Sequence, residues 1–172
     1  VTNAGVVGAD VTGVGTGRSA PAAAGYGTDK AIFGFGHDGS NWVSTTNLVN
    51  SSGVAGTDVS GVGTIRAALA AAGYGTDKAI FAYGSASGYV SISNLVNSSG
   101  VVASDTVGVG TARNGLGAAA YGGDKAIFAY GNTGSVTAIS NLVNSSGVVA
   151  SDVVGVGTAR EGSAAAGYSL SA

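Results

Sequence analysis

The sequence predicts an all-β fold built from tandem copies of one antiparallel unit. Two observations carry that expectation. Arg18, Arg66, Arg113 and Arg160 fall 48, 47 and 47 residues apart, each closing a Gly-Val-Gly-Thr-x-Arg phrase. Between them, glycine and Asn/Ser clusters cut the chain into short β-favouring runs about 8–12 residues apart, the spacing of antiparallel strands. A unit of this size cannot cover its own apolar face, so neighbouring copies must stack.

The copy between Arg113 and Arg160 justifies each element in turn. Residues 116–121 (LGAAAY) are small and apolar, and Gly122-Gly123 supplies a turn. Alanine prefers helix, but a run of three between glycines is too short to nucleate one, so this stretch reads as a first strand. Residues 124–130 (DKAIFAY) form a second strand that closes on Gly131. After the loop at 132–134, residues 135–143 (SVTAISNLV) are rich in β-branched side chains and give a third strand. The turn Asn144-Ser145-Ser146-Gly147 leads to a fourth strand over 148–154.

Repeat register divides the chain into a partial unit 1–17, full units 18–65, 66–112 and 113–159, and a partial unit 160–172. It thus opens in a fourth strand (1–16) and stops just after a first strand (163–168). Four strands in a repeat of about 40–50 residues describe a β-propeller blade, and closed propellers have about four to eight. A β-trefoil and an open β-solenoid or fibre segment are the alternative architectures.

The pattern Arg-x-x-x-Ala-Ala-Ala, turn, Lys-Ala-Ile-Phe-x-Tyr/Phe-Gly, followed by a Val-rich outer strand, resembles kelch-type propeller repeats. Two features depart from them: a single glycine (Gly36, Gly84, Gly131) stands where kelch has two, and the outer-strand tryptophan is absent. The Gly-Tyr-Gly-x-Asp-Lys-Ala-Ile-Phe wording is also similar to repeats of predicted tail and fibre proteins of marine bacteriophages. That resemblance implies a virion or extracellular surface location and a structural or adhesive role.

Composition limits the function classes. Charged residues make up 9% of the chain, against roughly 25% in ordinary domains, and glycine supplies 32 of 172 residues. So little charge leaves a surface poorly protected against self-association, which favours a chain that lives inside an assembly of its own or related chains. A net charge of −2 gives no basis for nucleic-acid binding, and no apolar run approaches the ~18–20 residues of a membrane-spanning helix.

Chemistry-bearing residues mostly follow the repeat. Asp10, Asp58, Asp105 and Asp152 each precede an arginine by eight residues, and Asp29, Asp77 and Asp124 each precede a lysine. With the four arginines they account for fourteen of the sixteen charges. A single catalytic constellation breaks symmetry, so charges copied in every unit are expected to form structural ion pairs: Asp10, Arg18, Asp58, Arg66, Asp105, Arg113, Asp152 and Arg160. His37 is the sole histidine, there is no cysteine, and no catalytic residue, metal site or cofactor is expected. The variable loop after the second strand is the candidate ligand site. There His37, Asp38, Asn41 and Trp42, with Tyr89 at the equivalent place in the next copy, offer a stacking face and hydrogen bonds suited to a cell-surface glycan.

Overall fold

The computed structural model describes residues 9–167, which form nine strands in three antiparallel sheets with no helix among them. The first sheet is β1 (Ala22–Tyr26), β2 (Lys30–Gly34) and β3 (Thr46–Val49). The second is β4 (Ala70–Tyr74), β5 (Lys78–Ala82) and β6 (Ser93–Val96). The third is β7 (Gly117–Tyr121), β8 (Lys125–Ala129) and β9 (Ser140–Val143). Each is a meander in chain order, with the same register in every copy: Tyr26 opposite Lys30, Tyr74 opposite Lys78 and Tyr121 opposite Lys125. The alanine runs are strands, as expected. Their small side chains suit their position, because the first strands lie side by side, β1 against β4 and β4 against β7.

The expected fourth strand is not regular. Its place is held by two isolated bridges per copy to the third strand: Thr46 to Val59 and Val49 to Ala55, with Ser93–Thr106, Val96–Val102, Ser140–Val153 and Val143–Val149 repeating the pattern. Between bridges the outer segment has one more residue than the third strand, which is the signature of a β-bulge. The third strands are also shorter than expected, four residues each. Positive φ at Phe35 and Gly36 and at their repeats breaks the regular ladder, and pairing continues only irregularly, Phe35 N–H donating to the Thr45 carbonyl and Val43 N–H to that of Gly36. At the far end, residues 163–167 are not a strand but lie beside β7 in repeat register. Gly167 sits over the Ala120 carbonyl as Gly73 sits over that of Gly25. The strand positions expected within 1–8 and at Tyr168 lie outside the described residues.

The core occupies the spaces between sheets. Ala22, Ala24, Tyr26, Ile32 and Phe35 face Leu69, Ala79, Phe81, Val96 and Val102. One unit on, Ala70, Ala72, Tyr74, Ile80 and Tyr83 face Leu116, Ala126, Phe128 and Val143. Aromatic rings anchor both interfaces, Phe35 with Phe81 at 5.1 Å and Tyr83 with Phe128 at 5.6 Å. Backbone hydrogen bonds run along the stack as well. Ala68 N–H donates to the Ala20 carbonyl, Gly115 to that of Ala68 and Gly162 to that of Gly115, at 3.2, 2.9 and 2.8 Å. Burial, aromatic packing and backbone pairing therefore all recur with the sequence period.

Candidate functional site

The most elaborate polar arrangement begins at the repeated arginines. Arg66 is fully buried; its Nε donates to the Tyr83 carbonyl at 2.9 Å and its Nη2 to Asn94 Oδ1 at 2.7 Å. The Asn94 amide then donates to Asp105 Oδ1 at 2.9 Å and to the Ala103 carbonyl at 3.0 Å. Asp105 in turn accepts from the Thr64 hydroxyl at 2.7 Å and the Thr64 N–H at 3.0 Å. Arg113, Asn141, Asp152 and Thr111 repeat this relay, as do Arg18, Asn47, Asp58 and Thr16. The bulge makes it possible: the extra residue turns the aspartate back toward the asparagine on the third strand. The second glycine of Gly-Val-Gly-Thr is also required. A Cβ on Gly63 would stand 2.5 Å from the Asn94 amide nitrogen and closer still to the Asp105 carboxylate.

The expected direct ion pairs are therefore corrected. Of the arginine–aspartate pairs among the described residues, only Arg18 and Asp58 come within ion-pair range, at 3.9 Å. Elsewhere an asparagine stands between the charges, and the partner of each aspartate is the arginine that opens its own unit rather than the one eight residues ahead. Arg160 enters no relay among the described residues, and Asp10 is exposed. The asparagines went unnoticed in the sequence, yet a signal was there. Asn47, Asn94 and Asn141 recur inside Thr/Ser-Asn-Leu-Val runs, where a strand disfavours asparagine unless it has a task.

Arg66, Arg113 and Arg160 also reach backward to the preceding sheet. The guanidinium of Arg66 lies 4.2 Å over the Phe35 ring, that of Arg113 4.1 Å over Tyr83, and that of Arg160 3.8 Å over Tyr130. Phe35, Tyr83 and Tyr130 adopt φ of +63, +64 and +65°, a left-handed conformation that is uphill by about 1–2 kcal/mol for a bulky residue. The surrounding contacts hold them there, with the ring beneath the next unit's arginine.

Electrostatics follow this geometry. Burial lowers the Arg66 pKa to about 10, opposed by the nearby Asp105 charge, and the side chain stays cationic at neutral pH. Burial acts to raise the Asp105 and Asp152 carboxyls, but the hydroxyl and amide donors of Thr64 with Asn94, and of Thr111 with Asn141, outweigh it and hold both below the usual range. Asp58 is lowered first by the Thr16 hydroxyl and then by the Asn47 amide. The Asp-Lys pairs sit on the hairpin turns and bind each other, Asp77 with Lys78 at 2.6 Å and Asp124 with Lys125 at 2.8 Å.

The variable loops form a separate edge. Trp42 is 37% exposed and Tyr89 42%, at equivalent places in successive units, and Val136 follows in the third. Asp38 and His37 serve the loop itself. Asp38 Oδ1 accepts from the Ser40 and Asn41 N–H groups at 2.9 and 2.7 Å, and His37 Nδ1 accepts from Gly39 N–H at 3.1 Å. These hydrogen bonds lower the Asp38 pKa, that from Asn41 most. Asn41 is exposed, and the Tyr89 hydroxyl donates to Asn132 Oδ1 of the next unit at 3.3 Å. Asn132 continues the row by donating to Glu161 at 2.9 Å. Among the described residues no histidine and carboxylate cluster could hold a metal ion. No protein-family model and no curated protein matches this chain.

Proposed function

We propose that this chain is a non-enzymatic structural repeat protein of an extracellular or virion surface assembly, such as a tail or fibre, with its sheets arranged like propeller blades. The observation that carries the reading is the use made of its charges. All of the fourteen recurring charges but Asp10 fall into a few positions that serve the relay, the arginine stacks and the turns, where they organise a stack rather than a reaction. The outward surface is correspondingly apolar, with Val11, Val107, Val154 and Val156 on the outer segments almost fully exposed. A free protein gains nothing from such a surface; an assembled one can bury it. Multi-angle light scattering on the full chain is expected to show an oligomer, and a monomer at every concentration would remove the reading.

A second reading is favoured by the exposed rings of Trp42 and Tyr89 on one edge beside His37, Asp38 and Asn41: a lectin-like protein that stacks sugar rings there. Glycan-array binding that disappears in Trp42→Ala would support it, and binding unaltered by that substitution would remove it.

A further inference from the structure

The two ends of the stack carry the same faces that the sheets press together within it. Phe81 and Phe128 are fully buried because each faces the preceding sheet, whereas the equivalent Phe33 is 43% exposed. At the other end Leu142 is 40% exposed, and Ile127 is only half-buried where Ile32 and Ile80 are fully covered. A specific seat is also vacant. The Asn-Ser-Ser-Gly turns fit against the preceding sheet so closely that a Cβ on Gly100 would lie 2.9 Å from Tyr26 and Leu48, and one on Gly147 2.9 Å from Tyr74. Gly53, in the first such turn, has nothing within 4 Å. Its matching receptor, a cleft of about 300 Å3 lined by Tyr121, Lys125, Leu142 and Val148, is open on the third sheet.

Arg18 gives an independent indication. Its side chain is only 6% exposed. No ring among the described residues faces Arg18, although the other three arginines each lie on one.

Resting on the assembly reading above, we propose that the partner is a second copy of this chain, bound head to tail through a continuation of the internal sheet interface. The second copy's first sheet seats on the third sheet, so that Phe33 packs as Phe81 and Phe128 do, the turn at 50–53 enters the cleft at Leu142, and Tyr130 of one copy lies under Arg18 of the next. Residues 160–167 already hold, in register, the place of 18–25. Association exchanges that segment for its own repeat and adds the second and third strands and the turn. The interface is heterologous, one surface fitting a different one.

Sedimentation equilibrium of the full chain tests this with Phe33→Asp and Leu142→Asp, both at sites exposed enough to keep the fold, which circular dichroism verifies. Wild type is expected to associate, and each variant alone to bind itself about 30-fold more weakly or worse. Mixing the two variants restores one intact head and one intact tail, giving a one-to-one dimer that cannot grow. Association of wild type unaffected by either substitution overturns this interface and leaves the assembly reading standing. Loss with Phe33→Asp alone indicates a symmetric head-to-head contact and also overturns it. A monomeric wild type removes both.

Discussion

Asn94 is the residue on which most of the polar structure of its unit converges. Buried completely, it joins a guanidinium, a carboxylate and a bulge carbonyl. Asn94→Ala leaves all three without their partner, and the expected loss is about 3 kcal/mol by urea denaturation. The aspartates of the relay give a pH dependence of definite sign. Their folded pKa values lie below the ~3.9 of the unfolded chain, so in that interval the unfolded state binds more protons and stability rises with pH. The contribution is complete above the unfolded value and is lost as pH falls through the folded values. Thermal melts are therefore expected to shift downward progressively below pH ~4, with a shallower slope in Asp105→Asn.

At the scale of the element, position in the stack outweighs identity. Phe81→Ala empties a ring site closed on every side and is expected to remove about 3–5 kcal/mol. Phe33→Ala, the same change at the same repeat position, is expected to remove under about 1 kcal/mol in the monomer. Denaturant midpoints of the two proteins measure the contrast. The strands themselves were legible in the sequence, because Ala-Ala-Ala and Lys-Ala-Ile-Phe between glycines leave little else to form. The bulge was not. Nothing in residues 55–59 (AGTDV) marks an insertion, and only the carbonyl-seeking amide of Asn47 reveals the extra residue. The arginine partners were hidden for a related reason. Asp58 stands eight residues from Arg66 in sequence, but the chain has crossed its sheet three times by then and returned to the unit of Arg18. In the candidate ligand loop, the exposure of Trp42 followed from its place in a variable segment, whereas the internal hydrogen bonds of His37 and Asp38 depend on a backbone turn that composition does not specify.

For the whole molecule, the main contacts between sheets among the described residues join successive sheets, β1 to β4 and β5 and β4 to β7 and β8, as in a one-dimensional stack. The second sheet is covered on both faces and the outer two on one. Native-state hydrogen exchange should therefore find the amides of β5 the slowest, with those of β2 and β8 exchanging sooner; uniform protection across the three would contradict it.

Because both internal junctions are made of the same residues, the chain has an inherited freedom in its length. Excision of residues 67–113 would join Arg66 to Asn114 and bring Phe128 beside Phe35, where Phe81 now stands. A shortened protein of this kind is expected to keep its β spectrum by circular dichroism. Insertion or excision of whole modules would then lengthen or trim the array, each product arriving with surfaces that already match.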